Sequence, residues 1–195
     1  MITTDSENGN DSYLKGAIAL TKKELAAKVR EISRIEGEFT LRSGLTSTFY
    51  WDKYRFESNP ITLSGIVVYM MDLIPDDKPD YIAGLEMGGL PLVTALSLIT
   101  GIPCLFVRKK AKTYGTANLV EGAELQVGKK VVVIEDVVTT AGQVCKSVKQ
   151  MRQLGLVVTT VICALDRQQG GAEALYKIGC TLSPVLTAQE LEDMT

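Results

Sequence analysis

The sequence predicts an α/β protein built on a doubly wound parallel sheet, with a small N-terminal hairpin ahead of it. Three observations carry this reading. From Tyr81 onward, short apolar runs alternate with glycine-containing loops and helix-length segments. The run Val131 to Ile134 has no polar position, as in strands of a parallel sheet covered on both faces. Ahead of Tyr81, two β-prone pieces flank Ser43-Gly44, which is the pattern of a hairpin. Repeated strand-loop-helix units make a sheet whose ligands bind beyond the strands' carboxyl ends.

The elements follow in order. Residues 1–20 are mostly polar and read as a flexible tail, and residues 21–195 read as one domain. A helix starts at Thr21, which can cap it. Glu24 stands at the capping-box position, and Leu25, Ala26, Val29 and Ile32 form an apolar stripe. Glu38 to Leu41 and Thr48 to Trp51 are the hairpin strands. Asn59-Pro60 breaks the chain, and Ile61 to Leu73 reads as an apolar helix. Tyr81 to Leu85 is a strand, Glu86 to Gly89 a loop and Leu90 to Thr100 a helix. Pro103 to Val107 is a strand, followed by the long polar segment Arg108 to Glu121. Val131 to Ile134 is a strand, Glu135 to Ala141 the loop after it, and Gly142 to Leu154 a helix. Val157 to Leu165 is a further strand, ending at Asp166-Arg167.

Composition narrows the chemistry. The chain has 195 residues, 46% hydrophobic and 23% charged, enough apolar material for a sizeable core. A formal net charge of -2 gives no electrostatic reason to bind nucleic acid or an anionic membrane. No apolar run reaches transmembrane length, and no secretory leader is visible, so a cytoplasmic location is expected. Cys104, Cys145, Cys163 and Cys180 are widely spaced and form no CxxC pair, which reads as free thiols in a reducing compartment. Histidine is absent, so histidine-based nucleophile systems are excluded and a zinc site is not expected.

Five segments carry the candidate chemistry. In Val131 to Gln143 an apolar strand runs into two adjacent acids, Glu135 and Asp136. Thr139, Thr140, Ala141 and Gly142 then lead into a helix. Such a loop can offer hydroxyls and backbone N–H groups to a phosphate, while the acids suit sugar hydroxyls or hydrated magnesium. The alternative is a plain strand-turn-helix in which Thr140 only caps. No GK[ST] and no GxGxxG is present, so the loop is neither a Walker loop nor a dinucleotide fingerprint. In Val107 to Gly122, Arg108, Lys109, Lys110 and Lys112 form a cationic run ahead of Gly115. The run can close over an anion, or be a solvated charged surface. In ALDRQQGG, residues 164–171, Arg167 emerges beyond a strand and suits a planar carboxylate or imide edge, with a surface salt bridge as the alternative. Arg42, Phe49 and Tyr50 lie in or beside the hairpin, where the aromatics can also be core. In GLEMGGLPL, residues 84–92, Gly88 and Gly89 allow backbone to approach a phosphate closely, or simply make a tight turn.

These segments resemble, in the same order, those of the type I phosphoribosyltransferases, and of the orotate phosphoribosyltransferases in particular. Val131 to Gln143 resembles the family's phosphoribosyl pyrophosphate motif. The resemblance implies that Glu135 and Asp136 contact ribose, and that Val137, Val138, Thr139, Thr140, Ala141, Gly142 and Gln143 wrap the 5'-phosphate. RKKAKTYG resembles the catalytic loop pattern RKxxKxHG, with Arg108, Lys109, Lys112 and Gly115 matching and Tyr114 at the histidine position. Tyr can donate a hydrogen bond there but is no cation at neutral pH. ALDRQQGG resembles LDRxxGG, which implies that Arg167 contacts orotate. FTLRSGLTSTFYWD resembles the hood element, with Arg42 where Lys is common and Phe49 or Tyr50 over the base. GLEMGGLPL resembles the pyrophosphate loop, although some relatives carry a Lys there and this chain does not.

The resemblance implies the type I phosphoribosyltransferase fold. It also implies transfer of a phosphoribosyl group from phosphoribosyl pyrophosphate to orotate, giving orotidine 5'-monophosphate and pyrophosphate in de novo UMP synthesis. Magnesium is expected as cofactor, held mainly through substrate pyrophosphate and water rather than by a protein metal site. A homodimer with shared active sites is expected too. Two other readings stand beside it. One is a phosphoribosyltransferase for another nucleobase, against which ALDRQQGG and RKKAKTYG argue. The other is a non-catalytic phosphoribosyl pyrophosphate sensor, which would need a DNA-binding element that the N-terminal tail does not supply.

Overall fold

A computed structural model describes residues 20–40, 44, 46–110 and 119–193. Helix α1 (Lys22–Ser33) forms as its capping signals predict. The Thr21 hydroxyl accepts from Glu24 N–H at 3.3 Å, and the Glu24 carboxylate accepts from Thr21 N–H at 2.8 Å. The antiparallel strands β1 (Arg34–Thr40) and β2 (Thr46–Trp51) make the hairpin. Strand β1 starts four residues earlier than the local β-propensity indicates, because Arg34 to Glu36 pair with Trp51 to Phe49 across an irregularity between Glu36 and Phe39.

Helix α2 (Lys53–Ser58) follows directly, capped by the Asp52 carboxylate, which accepts from Tyr54 N–H at 3.1 Å. Asn59 ends α2 and caps α3 (Pro60–Asp72), where Pro60 occupies the first turn. So the Asn59-Pro60 break separates two helices.

The main sheet has the strand order β5-β4-β3-β6-β7-β8. Its strands are β3 (Tyr81–Leu85), β4 (Cys104–Val107), β5 (Val120–Gly122), β6 (Lys130–Val138), β7 (Val157–Asp166) and β8 (Thr181–Thr187). All neighbours pair in parallel except β4 and β5. Pro184 fits in β8 because that strand is an edge. Strand residues alternate between two cores. Ile82, Val132, Ile134 and Ile162 pack with α1, α3 and α4 (Gly89–Thr100). Ala83, Val131, Val133 and Val161 pack with α5 (Gly142–Gln153) and α6 (Gly171–Tyr176). Helix α7 (Ala188–Glu192) closes the described chain.

One boundary matters for the site. Glu135 and Asp136 lie within β6 and not in the loop after it. The ladder to β7 continues through Glu135↔Cys163, Val137↔Leu165 and Val138↔Asp166. The long polar segment after β4 likewise contains a strand, β5.

Candidate active site

The chain runs from β3 outward to β4, then returns to the other side of β3 as β6, so the strand order reverses between β3 and β6. In open α/β sheets a crevice forms at such a reversal, beyond the carboxyl ends of the strands. Four of the five candidate segments meet at this edge: Glu86 to Gly89 after β3, Arg108 to Lys110 after β4, Thr139 to Gly142 after β6, and Arg167 after β7.

Backbone bonds tie them together. Glu86 N–H donates to Val107 O at 2.8 Å, joining the ends of β3 and β4. Arg167 N–H donates to Val138 O at 2.8 Å, joining β6 and β7. Gly171 sits so close to the next loop that a Cβ there would meet Thr139 O at 2.5 Å.

Helix α5 begins at an open N-terminus. Ala141 takes the left-handed conformation, φ 57°, and no side chain caps the helix. The early N–H groups of α5 are therefore left for another acceptor, and the helix dipole favours an anion there. Thr139, Thr140, Gly142 and Gln143 are exposed around this position. Thr140 does not act as a cap.

The two acids differ sharply. Glu135 is partly exposed, and its Oε2 is buried with no hydrogen-bond partner among the described residues. Burial, then the negative charge of Asp136, pushes the Glu135 carboxyl well above its ordinary value, while Lys53 and Lys109 pull it back. Asp136 is 0% exposed. Its Oδ1 accepts from Val137 N–H at 2.5 Å, and its Oδ2 lies 2.5 Å from Lys53 Nζ. A Cβ on Gly88 would fall 1.5 Å from that same Oδ2, so only glycine fits there. Glu57, one helical turn after Lys53 on α2, is buried beside Asp136. Burial first, and the Asp136 carboxylate second, lifts Glu57 to about 9, so it carries a proton at neutral pH. Burial opposes the charge on Lys53, but the bond to Asp136 outweighs it and raises the lysine.

A model of the phosphoribosyl transferase domain matches residues 55–185. The chain belongs to the phosphoribosyltransferase family. Its relatives include proteins named orotate phosphoribosyltransferase. The one from a Nocardioides species is 45% identical over 86% of this chain and 93% of its own. The one from Methanocella arvoryzae is 41% identical over 86% of this chain and 95% of its own. Among solved structures, the Mycobacterium tuberculosis orotate phosphoribosyltransferase in complex with phosphoribosyl pyrophosphate superposes with a TM-score of 0.75. It is 31% identical and covers 88% of this chain and 98% of that one.

Within this phosphoribosyltransferase, the other candidate residues are placed as follows. Arg108 is half-buried, with its Nε lacking a hydrogen-bond partner among the described residues, and Lys109 is exposed. Arg167 is half-buried at the end of β7. Phe49 is held edge-on to Trp51 at 6.4 Å, with the Arg34 guanidinium 4.7 Å from its ring centre. Tyr50 projects to the other face of the hairpin, near Phe39, and is about half exposed. Arg42, Lys112, Tyr114 and Gly115 lie outside the described residues. No three acidic, Cys or His side chains among the described residues converge as a metal cage. No helix among them is long and apolar enough to cross a membrane.

Lys53 and Glu57 were missed by sequence reasoning. The signal was available: WDKYRFE places a helix-capping Asp ahead of a Lys and a Glu spaced i, i+4, which share a helix face.

Proposed function

We infer that this phosphoribosyltransferase is an orotate phosphoribosyltransferase. It transfers the phosphoribosyl group of phosphoribosyl pyrophosphate to orotate, giving orotidine 5'-monophosphate and pyrophosphate. The observation that carries this reading is the junction of β6 and β7. An acid-bearing strand leads to an uncapped helix N-terminus, and the adjacent strand delivers Arg167, tied to Val138 by one backbone bond. On this reading the helix N-terminus is the sugar-phosphate cradle and Arg167 the cation for a planar anionic base beside it. The relatives' names supply the base.

In this reading the 5'-phosphate rests on Thr139, Thr140, Ala141, Gly142 and Gln143, with Val137 and Val138 setting the loop. The part-exposed Glu135 meets the ribose hydroxyls. The pyrophosphate lies over Gly88 and Gly89. Arg167 takes the orotate carboxylate or imide edge, and Arg42 with Phe49 or Tyr50 covers the base. The bond from the anomeric carbon to pyrophosphate breaks as a ring nitrogen of orotate takes that carbon. Arg108, Lys109 and Lys112 stabilise the charge growing on pyrophosphate, and Tyr114 donates a hydrogen bond to it. The ring N–H proton of orotate passes to the departing pyrophosphate or to water as the new bond forms, so no histidine base is needed. The acids present fit magnesium only alongside oxygens that the substrate brings, where the ion would neutralise pyrophosphate charge. A cytoplasmic homodimer with shared sites completes the reading. Purified protein given orotate, phosphoribosyl pyrophosphate and magnesium should consume orotate, followed by its ultraviolet absorbance. No consumption would overturn the assignment.

A further inference from the structure

The crevice raises an electrostatic difficulty. A diphosphate must enter beside β6, where Glu135 and Asp136 stand next to each other. The turn that lies under it, Glu86 to Gly89, contains a carboxylate and no cation. Asp136 is fully buried, and an unpaired buried carboxylate facing an incoming anion would oppose binding.

Among the described residues, the cation that pairs with Asp136 is Lys53, and it comes from outside the sheet. Lys53 opens helix α2, two residues after hairpin strand β2 ends. Its Nζ reaches Asp136 Oδ2 at 2.5 Å while its side chain remains 37% exposed. The same oxygen lies against Gly88, so the ammonium sits at the edge of the Glu86 to Gly89 turn. Glu57 walls the other side, 5% exposed, with an Oε1 that accepts no hydrogen bond among the described residues. In its protonated form Glu57 adds no charge, so Lys53 and Asp136 cancel.

We propose that Lys53 is a positioning residue for phosphoribosyl pyrophosphate, acting through Asp136. It neutralises that carboxylate and holds it turned onto Gly88, leaving Glu135 as the acid that faces ribose and the turn open to a diphosphate. The hood hairpin thereby connects covalently to the electrostatics of the diphosphate site. This rests on the phosphoribosyl-transfer reading, but not on orotate being the base.

The test uses the full chain. Binding of inorganic pyrophosphate and of phosphoribosyl pyrophosphate is measured by calorimetry, and both KM values and kcat are measured by orotate consumption. Lys53→Met should weaken both diphosphate ligands by about tenfold or more, a difference of roughly 1.4 kcal/mol. It should move the orotate KM much less, and Lys53→Arg should recover most of the loss. Adding Asp136→Asn to Lys53→Met should restore diphosphate binding, because no unpaired charge is left. That double variant also keeps the question measurable if Lys53→Met alone does not fold. Equal losses in Met and Arg variants, additive effects of the two substitutions, or a lowered melting temperature with unchanged diphosphate binding would each overturn the proposal. Lys53-dependent pyrophosphate binding in a protein that ignores orotate would support it while refuting the choice of base.

Discussion

Gly88 and Asp136 compete for the space of one methyl group. A Cβ on Gly88 would fall 1.5 Å from Asp136 Oδ2 and 2.8 Å from Glu57 Oε1. Gly88→Ala must therefore displace a buried carboxylate or the turn itself. Overpacking of this kind costs about 1–3 kcal/mol. We expect a lower melting temperature together with a raised KM for phosphoribosyl pyrophosphate. A variant with wild-type values for both would show that the turn is not fixed against Asp136.

Glu57 makes stability fall as pH rises. Its carboxyl titrates near 9 in the folded chain, against an ordinary 4.5. Between those values the folded state keeps a proton that the unfolded state has released, so stability is highest at the acid end and declines toward the alkaline end. Glu135 is shifted in the same direction. Glu57→Gln removes one of these linkages, and its melting temperature should decline less steeply across that window. Thermal unfolding in buffers stepped through it checks this. Parallel curves for the two proteins would mean that Glu57 is not held protonated.

Arg167→Ala should damage orotate use far more than phosphoribosyl pyrophosphate binding. Removing the charged partner of a desolvated substrate carboxylate costs roughly 2–5 kcal/mol. The readout is kcat/KM for orotate at saturating co-substrate, and an unchanged value would remove Arg167 from the base site.

Lys112→Ala should lower kcat by about a hundredfold or more, with a smaller change in KM, because the charge it meets grows mainly in the transition state. Tyr114→His should be tolerated or faster. If loops are shared between subunits, inactive Lys112→Ala chains mixed with inactive Arg167→Ala chains should regain partial activity in verified heterodimers. A normal kcat for Lys112→Ala would make the basic run a solvated surface.

Local pattern carried most of the sheet. Tyr81–Leu85 and the helices around it could be read because apolar runs, glycine turns and caps are short-range signals. The end of β6 was misread for a physical reason: apolarity stops at Glu135, but hydrogen bonding to the longer β7 continues the strand through Val138. Helix α2 was overlooked because it is only six residues long. Its partnership with Asp136 spans the chain from 53 to 136, and no local periodicity encodes such a contact. The open N-terminus of α5 was anticipated from its threonines and glycine. That Asp136 is fully buried while Glu135 keeps some exposure was not, since the sequence does not say how deeply each acid is covered.

The pairing of Val107 with Val120, and the 2.9 Å bond from Arg108 N–H to Leu119 O, bring the two ends of the basic segment to one point. Folding of the sheet has thus already met the entropic cost of closing that ring. The segment 109–118 therefore leaves from and returns to one anchor. Five residues out and five back, at about 3.3–3.6 Å each, set an upper bound of roughly 17 Å on how far its backbone can lie from the anchor. Covalent length alone keeps the Lys112 Cα within about 14 Å of Arg108, so every anion that Lys112 serves, in its own chain or in a second copy, must lie within that distance plus the length of the side chain. Deleting one residue from each half lowers that bound by about 3.5 Å without touching a single charge.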